Sequence, residues 1–260
     1  MKKIPVLFAF MMSLSACHHV YYAPNTANAP LLNEKGETRI NALYTSGGSS
    51  EYDGGELQFA HAVGKNVAFM VNGFTAGTSE DISDYSSNAS HTEKGSGSYI
   101  EAAAGLFKNL HANKKWVAEL YGGFGVGSVA NDYGFGDRSK VAVTKLFLQP
   151  AIGYKARYFE VALVSKISKL NWKIKENRIT ASDNNDAKGD MAFINRNNSN
   201  FLFEPALIMR VGGKGFKMQG ALSFSNFNKY DLIFGSDMIE TQNASLGISI
   251  NLKSKRTAMN

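Results

Sequence analysis

The sequence predicts an all-β protein, an antiparallel transmembrane β-barrel of outer-membrane type with about ten strands and an N-terminal lipidated tether. Apolar residues recur at every second position in about ten segments from Thr38 onward, and short and long connections alternate between these segments. No helical apolar period longer than two turns occurs in this region. The prediction assigns 1–16 to a signal peptide, 17–37 to the lipid-anchored extended tether, 38–253 to the barrel and 254–260 to a basic tail.

The composition excludes several classes of protein. A single Cys among 260 residues excludes a disulfide framework, and no Cys/His cluster has the spacing of a structural zinc site. The formal net charge of +6 becomes about +4 once Lys2 and Lys3 leave with the signal peptide, an excess too small and scattered to predict nucleic-acid binding. High Gly and aromatic content with only 19% charged residues disfavours a disordered or coiled-coil chain. No metal and no other cofactor is predicted.

The N-terminus has the layout of an export signal, a basic start followed by the apolar run Ile4 to Leu14. These eleven residues, at about 1.5 Å each, are too short to cross a hydrocarbon core of roughly 30 Å as a helix. The following Leu14-Ser15-Ala16-Cys17 resembles the lipobox of bacterial lipoproteins, which implies cleavage before Cys17 and its acylation. An ordinary signal peptide with a coincidental Cys is the alternative.

Residues 18–37 include two prolines, several turn-prone asparagines and no clean period, so they are predicted to be an extended tether. Surface lipoproteins of Bacteroidota usually carry acidic residues just after the Cys, whereas His18-His19-Val20 follow here. By resemblance, this favours a lipid that faces the periplasm. Two adjacent histidines without a third ligand are expected to be solvated and to bind no metal.

The alternation is clearest in the last segment, where Leu246, Ile248, Ile250 and Leu252 face one way and polar or small residues face the other. Similar stripes predict the other strands, with weaker ones at 38–46 and 54–64: Val67/Phe69/Val71, Ile100/Ala102/Ala104/Leu106, Trp116/Ala118/Leu120/Phe124/Val126, Ala142/Leu146/Leu148/Ile152, Phe159/Val161/Leu163/Ile167, Phe201/Phe203/Leu207/Met209 and Phe216/Met218/Leu222/Phe224.

The connections predict the orientation. Tight turns at one end and long loops at the other are typical of outer-membrane barrels, whose short turns face the periplasm. Both ends of the barrel sequence then fall on the short-turn side, where a lipid on Cys17 reaches the inner leaflet of a bacterial outer membrane. A soluble, lipocalin-like cup is the alternative, and it would turn the apolar face inward. Aromatic residues near strand ends favour the membrane barrel, because they resemble interfacial girdles.

The run from Pro24 to Glu37, PNTANAPLLNEKGE, after a lipobox Cys resembles small β-barrel lipoproteins of Bacteroidota, an uncharacterised outer-membrane family. The resemblance implies a barrel in the outer membrane and supplies no catalytic residues. One feature departs from outer-membrane barrels, which usually finish on an aromatic residue: this chain continues past Leu252 into the tail 254–260.

With the apolar stripes on lipid, ten charged residues are expected to line the lumen, five of each sign: Arg39, Lys145, Lys166, Arg210, Lys217, Glu56, Glu101, Glu119, Glu160 and Glu204. Because an unpaired buried charge is costly, a narrow lumen of this kind is predicted to be closed by ion pairs. The register that sets Glu160 opposite Arg210 also sets Lys166 opposite Glu204, so we predict both bridges. Placement by solvent filling alone is the alternative.

No nucleophile and base share a predicted face and height, His61 and His91 included, so no enzyme is predicted. The glycines 122–127 are expected to make room in the lumen, since no helix follows to hold a phosphate. We expect a structural or accessory subunit of an envelope complex, with outer-membrane lipid and, through the long loops, other outer-membrane or surface proteins as partners. A narrow small-solute channel and an enzyme acting on envelope lipids are the alternatives.

Overall fold

The structure, a computed structural model, describes residues 19–48, 52–84, 89–180, 185–227 and 238–253. The predicted signal peptide at 1–16, the predicted lipidation site Cys17 and the basic tail at 254–260 lie outside the described residues. All further statements about the fold concern the described part of the chain.

Long β-strands make up most of the chain, as period-2 alternation requires. They are β1 (Thr38–Gly47), β2 (Asp53–Ala62), β3 (Val67–Asp84), β4 (Ala89–Asn109), β5 (Trp116–Asp132), β6 (Arg138–Lys155), β7 (Phe159–Asn177), β8 (Ser199–Gly212), β9 (Phe216–Phe224), β10 (Asn226–Phe227) and β11 (Gln242–Leu252).

The strands form one closed antiparallel barrel. Each strand from β1 to β8 pairs with the next, β8 pairs with β9, β9 with β11, and β11 with β1. The two residues of β10 pair with β8 in the same register as β9, so β9 and β10 are one strand interrupted at Ser225. The described barrel therefore has ten strands, which confirms the predicted all-β fold.

The barrel is apolar outside and polar inside. Phe124, Leu146 and Leu246 are each at least 60% exposed on its outer surface, whereas all ten predicted lumen charges are at most 5% exposed. The large apolar side chains of the predicted stripes share that outer surface. This is the face assignment of an outer-membrane barrel and the reverse of that in a soluble lipocalin-like cup.

The connections alternate as predicted. Residues 63–66, 110–115, 156–158 and 213–215 join strands at one end, which we call the short-turn end. The opposite, long-loop end carries the turn 133–137 and the connection 178–198. At 77–97 no long loop separates β3 from β4: the two strands continue as a paired ribbon to Asp84 and from Ala89.

A helix that the sequence pattern did not predict, α1 (Asn185–Arg196), lies in the connection after β7. Its buried residues Ala187, Met191 and Ile194 recur at helical spacing, but over too few turns to stand out in the sequence. No helix in the described ranges is long and apolar enough to cross a bilayer.

The expected tether is wrong in one respect: residues 19–33 are mostly extended but lie inside the barrel, and a turn at 34–36, with Lys35 exposed, leads them into β1. We call residues 19–37 the lumen segment. Tyr21, Leu31 and Leu32 are completely buried there. Ten strands about 4.8 Å apart and tilted about 40° close with a backbone radius of roughly 10 Å, enough for one extended chain among the inward side chains. Because His19 lies at the long-loop end, the described chain does not lead back to the short-turn side where the lipid anchor was expected.

Glycines inside the barrel make room for large side chains, as expected for 122–127. A Cβ on Gly125 would lie within 2.5 Å of two atoms of the Tyr99 side chain, and one on Gly123 would lie 2.7 Å from the Phe147 ring. Gly153 has the same role for the lumen segment, since a Cβ there would lie 2.5 Å from Leu31 Cδ2.

Candidate functional site

The candidate site is the barrel lumen, which the lumen segment fills from one end to the other. At the long-loop end, the N–H of Tyr21 donates to the carbonyl oxygen of Met238 at 2.7 Å. At the short-turn end, the N–H of Gly36 donates to the carbonyl oxygen of Ala62 at 2.8 Å. Backbone hydrogen bonds thus fix both ends of the segment to the barrel wall or its loops.

Between these ends, side chains of the wall satisfy the backbone carbonyls of the segment. An extended chain without a strand partner leaves its polar groups unpaired unless other donors replace the ladder. Six donors do so here, at 2.6–2.9 Å: Asn243 Nδ2 to Pro24, Gln58 Nε2 to Thr26, Gln149 Nε2 to Asn28, Arg210 Nη2 to Ala29, Lys155 Nζ to Leu31 and Asn109 Nδ2 to Asn33. These amide and cationic side chains of the barrel wall therefore bind the chain's own N-terminal segment.

Two of the predicted lumen acids bind backbone N–H groups of the segment. Glu56 Oε1 accepts from the N–H of Thr26 at 2.9 Å and from its hydroxyl at 2.8 Å. Glu119 Oε1 accepts from the N–H of Leu32 at 3.2 Å. Their observed partners are thus neutral donors, not the cations that the ion-pair prediction expected.

The central ion-pair group joins two cations to two acids. Lys166 Nζ lies 2.7 Å from Glu101 Oε1, and Lys145 Nζ lies 3.2 Å from the same oxygen. Lys145 Nζ also lies 3.4 Å from Glu204 Oε2. Asn25 of the lumen segment donates to Glu101 Oε2 at 3.0 Å, so the segment takes part in the group.

A second ion-pair group lies towards the short-turn end, around Glu160. Arg39 binds Glu160 with both terminal nitrogens, at 2.5 and 3.2 Å. Arg210 Nη1 lies 3.4 Å from Glu160 Oε2, and Lys217 Nζ lies 3.6 Å from Glu160 Oε1. Three cations therefore share one buried carboxylate.

The register predicted for β7 and β8 is present, with Glu160 opposite Arg210 and Lys166 opposite Glu204. The first pair is in contact. The second is not an ion pair, because Lys166 reaches across the lumen to Glu101 and Lys145 binds Glu204 instead. Strand register fixes the Cα positions of these residues. A lysine side chain is nevertheless long enough to reach several different carboxylates in a narrow lumen.

Apolar clusters lie on both sides of the central ion-pair group. At the long-loop end, helix α1 and the segment form a mouth cluster of Tyr21, Tyr22, Val141, Val143, Leu170, Trp172, Met191, Ile194, Leu202, Phe227, Met238 and Ile239. Towards the short turns, Ala27, Ala29, Leu31 and Leu32 of the segment join a base cluster that includes Met70, Phe107, Tyr121 and Ile208. Water-excluding contacts thus lie above and below the central ion-pair group. The Glu160 group lies at the short-turn end, beside an open pocket lined by Lys155, Glu160 and Lys217.

The segment is clasped just before it enters β1. Glu37 Oε1 accepts from Lys155 Nζ at 2.5 Å and from Asn251 Nδ2 at 2.7 Å, and Glu37 Oε2 accepts from the N–H of Asn33 at 2.7 Å. Burial alone would raise the pKa of Glu37, but the charge of Lys155 and these hydrogen bonds outweigh it and hold the pKa below its usual range.

The two histidines considered for catalysis lie far apart. His61 is paired with Thr38 near the short turns, and its Nδ1 is 2.7 Å from the Thr38 hydroxyl. His91 is in β4 near the long-loop end, where its Nε2 lies 3.2 Å from Glu93.

Comparison with known proteins adds little to this geometry. No protein-family model and no curated protein matches the chain. Among solved structures, the chain is similar to the outer membrane protein OprD from Pseudomonas aeruginosa, with 8% sequence identity and a TM-score of 0.19 over 88% of this chain and 97% of that one.

Sequence reasoning missed the residues that close the lumen, above all Tyr21, Tyr22, Asn25, Thr26 and Leu31. A usable signal exists: none of residues 20–33 is charged, and they combine tyrosines, small residues and amides. Solvated linkers are usually richer in charge, Gly and Ser. An uncharged run of this kind beside a predicted charged lumen points to burial within it.

Proposed function

We propose that this chain is a non-enzymatic, lipid-anchored β-barrel of the bacterial outer membrane, a structural or accessory subunit of an envelope complex whose lumen does not conduct solutes. Cys17 carries the lipid in this proposal, and the apolar outer surface contacts membrane lipid. Other outer-membrane or surface proteins bind through the long-loop end.

One observation supports the proposal that the lumen is closed to solutes. Side chains of the barrel wall bind six carbonyl groups of the lumen segment in succession. A solute path would have to displace this ladder, two ion-pair groups and both apolar clusters. In this proposal the lumen segment closes the lumen, and the ion pairs that the sequence predicts hold the segment in place.

The outer surface supports the membrane location. Its exposed apolar side chains would face water in a soluble protein, whereas an outer-membrane barrel turns such a band toward lipid. His61 and His91 lie at opposite ends of the barrel, so these two histidines cannot act together in one catalytic site.

Planar-bilayer recording tests the closed lumen. The purified full-length chain is expected to insert without steady single-channel conductance. A variant with residues 20–32 replaced by an equally long Gly/Ser spacer is expected to show discrete conductance steps, because the spacer lacks the side chains that fill the lumen. Steady conductance of the unaltered chain would instead establish the small-solute channel.

The accessory role has its own test. Mild-detergent purification of the native protein from its outer membrane, followed by mass spectrometry, is expected to recover a stoichiometric protein partner. Replacing the exposed Phe135 at the tip of the 133–137 turn with Ser tests whether this end provides the contact. Recovery of the barrel alone under conditions that preserve other outer-membrane complexes would argue against a subunit.

A further inference from the structure

We infer that the barrel carries its own N-terminus to the long-loop end, so that a lipid on Cys17 lies in the leaflet around the long-loop rim. The lipid half of this inference rests on the acylation of Cys17 in the proposed function. The route of the chain rests on the lumen segment alone.

The contacts of the segment give its direction. Pro24 is bound by Asn243, whose strand partner Gly47 ends β1 at the long-loop end. Nine residues later, Asn33 is bound by Asn109, the last residue of β4 at the short-turn end. The chain therefore passes from the long-loop end to the short-turn end in the order of its sequence.

The segment is long enough for a complete passage. Residues 20–33, which precede the turn at 34–36, span up to roughly 40 Å at about 3.3 Å per residue, compared with an apolar band about 25 Å tall in outer-membrane barrels. Both ends of the segment are hydrogen-bonded to the barrel, so the direction of passage is fixed.

His19 marks the exit. Its Nε2 lies 3.2 Å from Glu93 Oε2, and its ring centroid lies 4.1 Å from that of Tyr133. Glu93 belongs to the β3–β4 ribbon and Tyr133 begins the 133–137 turn, both at the long-loop end. The chain upstream of His19 thus starts from the rim of this end.

Chain length then limits where Cys17 can be. Two Cα–Cα steps of about 3.8 Å separate Cys17 from His19, a reach of roughly 8 Å. This is far less than the apolar band of about 25 Å that separates the two rims. The filled lumen offers no way back, so acyl chains on Cys17 must enter the leaflet beside the long loops.

In an outer membrane, the long-loop rim faces the cell exterior. The acylated N-terminus of the chain is therefore held in the outer leaflet, beside the long-loop rim. Strand β1 starts at the opposite, periplasmic side. Such a lipoprotein displays its anchor at the cell surface without acidic residues after the Cys.

Epitope tags on intact cells test the route. One tag is inserted between His18 and His19, a control tag follows Gly136 in the long-loop turn, and a second control lies between Asn113 and Lys114 in a short turn. We expect antibody to bind the first two on intact cells and the third only after lysis. Heat-modifiable gel migration verifies that each barrel is folded.

The results separate the two halves of the inference. An N-terminal tag that becomes accessible only after lysis, together with the short-turn tag, overturns the route. Surface binding by the short-turn control instead of the long-loop control overturns the leaflet assignment. Mass spectrometry of the N-terminal peptide is expected to show acylated Cys17; an unmodified Cys17 refutes the lipid half and the proposed anchoring, while the tags still decide the route.

A smaller change gives the same readout if the tag prevents folding. His19→Cys introduces a thiol at the exit, and an acylated Cys17 does not react with maleimide because its sulfur is a thioether. A membrane-impermeant maleimide is expected to label His19→Cys on intact cells but to leave Lys114→Cys unlabelled until lysis. A His19→Cys thiol that is protected on intact cells and becomes labelled only after lysis, like Lys114→Cys, contradicts the route.

Discussion

Replacement of Glu160 by Gln measures how far water is excluded from the ion-pair group at the short-turn end of the lumen. Glu160 is 1% exposed and is the shared partner of Arg39, Arg210 and Lys217. A Gln keeps the size of the side chain and removes the charge. Three buried cations then lose their carboxylate, and removal of one partner from a buried ion pair costs about 3–5 kcal/mol in free energy of unfolding.

Glu56→Gln is the matched control. Glu56 is similarly buried, but its shortest hydrogen bonds come from the neutral N–H and O–H groups of Thr26, which an amide oxygen also accepts. Only the extra strength of a charged acceptor is lost, about 1 kcal/mol. We therefore expect Glu160→Gln to destabilise the barrel at least twice as much as Glu56→Gln.

The measurement is equilibrium denaturant unfolding of the protein in lipid vesicles, followed by tryptophan emission. The only two tryptophans report on different places, Trp172 in the mouth cluster and Trp116 on the lipid-facing surface near the short turns. Adding Arg39→Met to Glu160→Gln is expected to recover part of the loss, because one orphaned cation is removed. Equal small losses for both glutamine variants would show that water reaches Glu160 and would contradict its burial.

Three further predictions concern the barrel wall around the lumen segment, the outer surface of the barrel and the contacts of Glu37. Gly153→Ala is expected to cost about 1–3 kcal/mol because its Cβ would clash with Leu31, whereas Gly220→Ala, with nothing within 4 Å, should be nearly neutral; denaturant unfolding measures both. Leu146→Arg, on the lipid-facing surface, is expected to cost about 2–4 kcal/mol in vesicles; an unchanged unfolding midpoint would contradict membrane burial. Because the folded-state pKa of Glu37 is lowered, its contribution is present above a pH of about 4.3 and is lost as pH falls through the lowered pKa. The stability difference between wild type and Glu37→Gln should therefore shrink from pH 7 to pH 3, and a constant difference would contradict the pKa shift.

The sequence could predict which segments form strands and which face of each strand points outward, because both depend on the local two-residue alternation of apolar and polar residues. Leu246 and Leu252 alternate with polar neighbours, and a strand with this alternation has only two ways to face. The register of β7 against β8 could also be predicted, since one alignment juxtaposes both Glu160 with Arg210 and Lys166 with Glu204.

The contents of the lumen could not be predicted in the same way. Lys166 selects Glu101, three strands away in the sheet order, and this choice depends on three-dimensional distances across the barrel. The lumen segment has no period, because its wall contacts come from several strands in turn and not from one regular ladder. Its position follows from wall donors such as Gln58 and Gln149, which the alternation places inside without showing what they bind.

The seam between β1 and β11 has a consequence for biogenesis. If Cys17 is acylated, the lumen segment cannot enter a barrel that has already closed, because its free end carries bulky fatty acids. Residues 19–37 would then have to lie against the open sheet before β1 pairs with β11. A nascent barrel that closes earlier would leave this segment outside the lumen.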